Sequence, residues 1–201
     1  MNTARRRIVT ALGILLVGGT VFYWIRTRPV SLCTSLSCIR IPGASSYRLN
    51  ELYTDTPTVY RALYTSGQRY IRIEAKHNDA IGAEQELDAS VVGMKALFAK
   101  APAPYPGDIS DAIVCDPSFV PTYHVINGKD GPIRYFVGYL NNRMTFGSCS
   151  QSQAVYKGIM AFTYCKKEAM TIRTELIAET SDFTKNQSAI TKQIETMSCP
   201  D

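Results

Sequence analysis

The sequence has few of the residues and motifs that mark an enzyme. Its 201 residues include only two histidines, His77 and His124. It has no glycine-rich phosphate loop, no Gly-x-Ser-x-Gly elbow and no His-Glu-x-x-His metal motif. A Cys-x-x-Cys pair is also missing, which excludes a thioredoxin-like redox site. With 13 glycines and 10 prolines, the chain has too little of either for a low-complexity or collagen-like protein.

Basic residues outnumber acidic ones, but the excess is confined to the N-terminus. The formal net charge is +5. Five of the 22 basic residues lie at or before Arg28, whereas none of the 17 acidic residues does. Beyond Arg28 the chain is therefore neutral, with 17 residues of each sign. This distribution gives no support to nucleic-acid binding.

An uncharged apolar stretch at residues 8–25 predicts a transmembrane signal-anchor helix. A helix of this length spans roughly 27 Å, enough to cross the hydrocarbon core of a bilayer. Three arginines precede the stretch and two follow it, which favours a cytoplasmic N-terminus at residues 1–7. A cleaved signal peptide is the alternative, but no small-x-small site follows the stretch. The predicted partner of residues 8–25 is the lipid bilayer.

The rest of the chain has the pattern of an antiparallel sheet with two helices. Residues 26–57 contain repeated prolines with glycine and serine, and we predict an extracytoplasmic connector there. Amphipathic helices are predicted at residues 81–100 and 182–197. The domain at 58–201 contains β-rich runs at 58–64, 69–75, 122–127, 133–140, 143–149, 154–165 and 168–179.

These elements predict an α+β fold. A single N-terminal transmembrane helix would be followed by an antiparallel β-sheet domain, with the two amphipathic helices packed on one face. In its order of elements the domain resembles the photosystem-associated PsbP-like domains. The resemblance implies a fold and carries no function with it.

The six cysteines lie C-terminal to the membrane segment, and an even number in a small exported domain predicts disulfides. Cys165 ends one predicted strand, and the last helix runs back toward that point, which brings Cys199 close to it. Zinc is the alternative, but the chain has only one close pair of cysteines, so we expect no metal and no cofactor. The expected bonds are Cys165–Cys199, Cys33–Cys38 and Cys115–Cys149.

Residues between positions 108 and 124 are the candidates for catalysis. Cys115 and His124 would form a nucleophile pair, with Asp111 or Asp116 orienting the histidine. A disulfide-bonded Cys115 has no free thiolate, and His124 falls in a predicted strand, so a structural role is favoured. An envelope-associated hydrolase or other enzyme that uses this loop is the alternative function.

The favoured function is a membrane-anchored extracytoplasmic binding or accessory domain of the cell envelope. Tyr135 and Tyr139 share one face of a predicted strand, where they would contact a protein or glycan partner if no helix covers them. The helices need a sheet face to bury their apolar stripes, which favours a core position for these tyrosines. A further alternative is a subunit of a membrane complex, since Gly13, Gly18 and Gly19 permit close helix packing.

Complete pairing of the cysteines is tested by counting free thiols in the chain after non-reducing denaturation. We expect none, since all six cysteines are assigned to disulfides. Reduction before the assay is the control and should expose six thiols. Two or more free thiols in the unreduced chain would contradict the pairing.

Overall fold

The computed structural model describes residues 29–56, 58–79, 81–86, 88–89, 123–140, 146–148 and 156–200. These ranges contain ten strands and a C-terminal helix, and residues 81–86 and 88–89 are also helical. The bounds are β1 (Pro29–Cys33), β2 (Cys38–Pro42), β3 (Arg48–Thr56), β4 (Val59–Ser66), β5 (Arg69–His77), β6 (Tyr123–Gly128), β7 (Gly131–Leu140), β8 (Phe146–Ser148), β9 (Tyr156–Cys165), β10 (Met170–Glu179) and the C-terminal helix (Thr180–Glu195).

Eight strands form one sheet in the order β3-β4-β5-β10-β9-β7-β6, with β8 paired to β7. Every pairing between the described strands of this sheet is antiparallel. The β-rich runs predicted at 58–64 and 69–75 form the hairpin β4–β5, and those at 122–127 and 133–140 form the hairpin β6–β7. In each hairpin a tight turn joins the two strands. β9 is an interior strand, as its continuous apolar run predicts, and β10 lies between β9 and β5.

The expected α+β class with a separate connector is wrong, because the described part of the chain is rich in sheet. The stretch expected to be a connector, residues 26–57, forms β1, β2 and β3 over its described residues, and β3 is an edge strand of the large sheet. Pro29 begins β1 and Pro42 ends β2. A proline has no amide hydrogen to donate, but at the end of a strand this removes no hydrogen bond from the strand interior. The two prolines are therefore compatible with strand formation and lie at the strand ends.

The C-terminal helix packs on one face of the large sheet, which we call the helix face. The β1–β2 hairpin packs on the same face and belongs to the same core cluster. The helix buries its predicted apolar stripe there because alternate residues of β5, β9 and β10 are also apolar. The stripe consists of Phe183, Ile190, Ile194 and Met197, all of which are buried.

The helical residues 81–86 lie on the opposite face, so the expectation that both helices share one face is wrong. Glu84 contacts Arg134 at 2.6 Å, and Glu86 contacts Lys76 at 3.4 Å. Arg134 and Lys76 point away from the helix face. β9 and β10 bury side chains on both faces, and a sheet of this kind needs cover on both sides.

The predicted membrane helix at residues 8–25 lies outside the described residues, as does the cytoplasmic segment at 1–7. Across the residues that the structure describes, no helix is both long and apolar enough to span a bilayer. The predicted helix at 81–100 is described only up to residue 89, with gaps.

Two disulfides hold the ends of the domain. Cys33 and Cys38 close the β1–β2 turn, and their Cα atoms are 3.9 Å apart. Cys165 at the end of β9 is bonded to Cys199, with Cα atoms 5.6 Å apart, as the run of the last helix predicts. The remaining expected bond joins two residues outside the described ranges, so it stays a prediction.

The β1–β2 hairpin is joined to the chain's C-terminal tail by backbone hydrogen bonds. The Arg40 amide donates to the Ser198 carbonyl at 2.8 Å, and the Ser198 amide donates to the Arg40 carbonyl at 3.0 Å. The Tyr64 hydroxyl on β4 donates to the Cys33 carbonyl at 2.7 Å. These contacts make the hairpin part of the folded domain rather than a flexible lead into it.

A bidentate ion pair fixes the start of the C-terminal helix. The Arg69 guanidinium donates to both carboxylate oxygens of Asp182, at 2.6 and 2.8 Å. Asp182 lies in the first turn of the helix, where a negative charge also complements the helix dipole. The hydrogen bond from Arg69 is the main reason that the pKa of Asp182 is lowered.

Replacing Asp182 with asparagine should lower stability at neutral pH and have little effect at low pH. A carboxylate with a depressed folded-state pKa stabilises above its unfolded pKa of about 4. That contribution is lost as pH falls through the pKa of the carboxyl in the folded state. For a partly exposed ion pair it is about 0.5–1 kcal/mol. Urea unfolding of both proteins at pH 7 and pH 2.5 measures the difference. If the two proteins differed equally in free energy of unfolding at both pH values, the stabilising role of the ionised Asp182 carboxylate would be contradicted.

Candidate functional site

β5 and β10 carry the same four-residue pattern, Ile-Arg-x-Glu. It occurs at residues 71–74 on β5 and at residues 172–175 on β10. The strands pair antiparallel, so Arg72 lies opposite Glu175 and Glu74 lies opposite Arg173. All four side chains lie on the face opposite the C-terminal helix, which we call the charged face. The antiparallel register therefore pairs each arginine with the glutamate of the other strand.

A continuous chain of ion pairs runs across three strands of the charged face. Glu74 binds the Arg61 Nε at 2.6 Å and the Arg173 Nη2 at 3.1 Å. Glu175 binds the Arg173 Nε at 3.2 Å and the Arg72 Nη1 at 3.3 Å. Opposite charges alternate along this series of ion pairs, whose order is Arg61, Glu74, Arg173, Glu175 and Arg72.

In this series of ion pairs, the carboxylates are less exposed to solvent than the guanidinium groups. The Glu175 side chain is 4% exposed, whereas the Arg173 side chain is 33% exposed. Arg61 and Arg72 are exposed to a similar extent. Solvent therefore meets mainly arginine on this surface, although each arginine is held by a carboxylate beneath it.

An open cleft of about 280 Å³ lies over these residues at the edge of the sheet. β3 contributes Glu51 and Tyr53, β4 contributes Arg61 and Leu63, and β5 and β10 complete the floor. Glu51 and Tyr53 lie opposite Leu63 and Arg61 in the β3–β4 register, which brings them onto the charged face. We call this feature the charged cleft.

The arginines that line the charged cleft are paired with carboxylates. Glu74, which lines the cleft, and Glu175, which lies beside it, each accept from two arginines. Among the residues that the structure describes, no serine, threonine, cysteine or histidine lines the cleft. Throughout the described ranges, no group of three or more acidic, histidine or cysteine side chains is arranged to hold a metal ion.

The structure does not test the catalytic group predicted from the sequence. Asp111, Asp116 and Cys115 lie outside the described residues. His124 lies on β6, where its ring stacks on Tyr135 with centroids 4.8 Å apart and planes 18° apart. Tyr135 itself is buried on the helix face, the core position that the sequence favours. His124 thus has a structural contact, as its position in a predicted strand indicates.

The arginines and glutamates of the ion-pair chain were not identified as site residues from the sequence. The alternation in β5 and β10 predicts one apolar and one solvated face, and that pattern assigns Arg72 and Glu175 to solvent. The Glu175 side chain is instead almost completely buried. The repeated Ile-Arg-x-Glu pattern was the available signal, but it acquires meaning only once the two strands are paired.

No family model matches the chain, and no curated protein is similar to it in sequence. Among solved structures, cyanobacterial PsbP (CyanoP) from Synechocystis sp. PCC 6803 is similar in fold, with a TM-score of 0.53. The match covers 87% of this chain and 94% of that chain, at 7% identity. At this identity the similarity extends to the fold alone.

An immunity protein of the Stenotrophomonas maltophilia type IV secretion system matches more weakly. Its TM-score is 0.33 at 12% identity, over 86% of this chain and 94% of that chain. A likeness at this level supports no conclusion about the present domain.

Replacing Glu175 with glutamine should lower the free energy of unfolding by about 1–3 kcal/mol. Arg72 and Arg173 would lose the charged acceptor that joins them in a buried position. Glu51 provides a matched control because it lies on the same face of the sheet but is exposed, so Glu51→Gln should change stability by less than about 0.5 kcal/mol. Urea titration measures both variants. Equal stability of the two variants would contradict a structural role for the ion-pair chain.

Proposed function

We propose that this chain is a membrane-anchored extracytoplasmic binding domain of the cell envelope, and that its partner docks on the charged cleft. The observation that carries the proposal is the preformed row of arginines, which are oriented by the buried Glu175 and the partly buried Glu74 and are open to solvent. Arginine and tyrosine are both enriched where proteins bind one another, and the cleft contains both.

The disulfides support a position outside the cytoplasm. Two disulfides are formed, and the part of the chain that the structure describes contains no free cysteine. Disulfides persist in oxidising compartments and are rare in the cytosol. Both bonds join segments at the domain's termini, where a cross-link limits fraying of the chain.

The N-terminal sequence supports anchoring. Residues 8–25 are long and apolar enough to cross a bilayer, and β1 begins at Pro29. Only residues 26–28 separate the two, rather than the long connector expected at first. An anchored domain would therefore lie directly at the membrane surface, and its partner would be a protein of the membrane or its immediate surroundings.

The arrangement of the charged cleft supports binding over catalysis. Glu74 and Glu175 each bind two arginines, and Glu51 is exposed to solvent on an edge strand, an arrangement that supports recognition more than general-base chemistry. Pre-oriented guanidinium groups lose little conformational freedom when they bind, which favours association. The site thus has the features of a recognition surface.

Site-specific photo-crosslinking in the full chain tests the proposal. A benzoylphenylalanine at position 53 should crosslink to a partner in the membrane fraction, because Tyr53 lines the cleft and is 41% exposed. The same residue at position 125 is the control, since Val125 is exposed on β6, at the opposite end of the sheet.

The same samples test anchoring by extraction with alkaline carbonate, which should leave the chain in the membrane pellet. An equal adduct from positions 53 and 125 would contradict docking at the cleft. Release of the chain into the carbonate supernatant would contradict anchoring by residues 8–25.

A further inference from the structure

We infer that the charged cleft recognises an acidic segment of a partner protein, and that Arg173 is the central anchor for one of its carboxylates. This inference rests on the proposed function and names the chemistry of the partner. It follows from the position of Arg173, from the charges around the cleft and from the apolar side chains beside it.

Arg173 is held in a fixed orientation while part of its guanidinium faces the cleft. Its Nε and Nη2 bind Glu175 and Glu74 on either side. Within the described residues, no hydrogen bond engages its Nη1. A guanidinium held from two sides on an interior strand presents its remaining donors in one geometry, as recognition of a planar carboxylate requires.

The charge exposed in the cleft favours an anion with a single charge. Arg61, Arg72 and Arg173 are each about one-third exposed. Glu51 and Glu74 also line the cleft, so its three positive charges exceed its negative charges by only one, an excess that one carboxylate neutralises and a doubly charged phosphate would exceed. The balance therefore favours an aspartate or glutamate side chain over a phosphate group.

The surroundings of the cleft favour a protein partner over a small carboxylate. The cleft is open rather than enclosed, and Tyr53 provides an exposed aromatic wall beside the arginines. Leu63 on the neighbouring strand β4 adds an apolar side chain to the lining of the cleft. An extended segment that presents acidic and apolar side chains would contact both kinds of surface, whereas a small acid would contact only the arginines.

Glu51 gives a direct way to test the role of charge. It lines the cleft and is exposed, and no ion pair to it is formed by the residues that the structure describes. Its carboxylate would weaken the binding of an acidic segment without supporting the fold. Removal of this charge and removal of an arginine charge should therefore change affinity in opposite directions.

The test uses the full chain in detergent micelles and a fluorescein-labelled ten-residue peptide with four glutamates among valines and alanines. Fluorescence anisotropy should show saturable binding that weakens as salt is raised. Arg61→Gln should weaken binding about threefold to tenfold, and Arg173→Gln should weaken it further. Glu51→Gln should strengthen it about twofold to threefold.

Arg48→Gln is the matched control. Arg48 lies on β3 outside the cleft, and its Nη1 donates to the backbone carbonyls of Ser45 and Tyr47. This variant should leave the affinity unchanged within a factor of about 1.5. Thermal unfolding of each variant checks that it is folded, and Arg61→Gln keeps the inference testable if Arg173→Gln unfolds, because Glu74 retains Arg173.

Several outcomes would overturn the inference. Equal binding of a peptide with four glutamines would exclude recognition of carboxylates. An equal loss in Arg48→Gln and Arg61→Gln would indicate general attraction to a basic surface. Tighter binding of a phosphoserine peptide, or equal competition by free glutarate, would assign the cleft to a phosphate or to a small acid. If position 53 still crosslinks specifically, such a result rejects the acidic partner and leaves the proposed function intact.

Discussion

Strands β5 and β10 pair antiparallel across about 100 residues of sequence, and most of the structure depends on this contact. It joins the N-terminal strands β3 to β5 to the C-terminal strands β6 to β10 in one sheet. On the helix face, the pairing aligns the isoleucines that support the C-terminal helix. On the charged face, the pairing places the arginine of each Ile-Arg-x-Glu pattern opposite the glutamate of the other. A shift of one residue would turn the glutamates into the helix-face core and expose the isoleucines.

The ends of the domain are held by contacts that follow from this sheet. β9 and β10 are neighbours, so the last helix returns along the sheet and brings Cys199 to Cys165. The tail beyond the helix then pairs with β2, which holds the N-terminal hairpin against the helix face. The hairpin is therefore stabilised by residues from the far end of the chain. A hairpin of two five-residue strands would be marginal on its own, and the tail makes it part of the core.

The candidate site illustrates where inference from sequence reached its limit. The alternation of charged and apolar residues correctly assigned Arg72, Glu74, Arg173 and Glu175 to the face opposite the isoleucines. It could not reveal that the two charged runs neutralise each other, because that depends on which strands are neighbours. Glu175 consequently appeared solvated when it is buried. Local alternation reports a side chain's face, whereas its solvation depends on the adjacent strands.

The sequence by itself determined the β-hairpins, the apolar stripe of the C-terminal helix, the charge-balanced body and the pairing of Cys165 with Cys199. Each of these follows from local periodicity, composition or short topological reasoning. Only the tertiary structure decided that residues 29–56 join the folded domain, that the helical segments lie on opposite faces and that a charged cleft forms. These features arise from contacts between segments that are distant in sequence. They are stabilised by burial and by ion pairs between those segments, which local sequence patterns do not show.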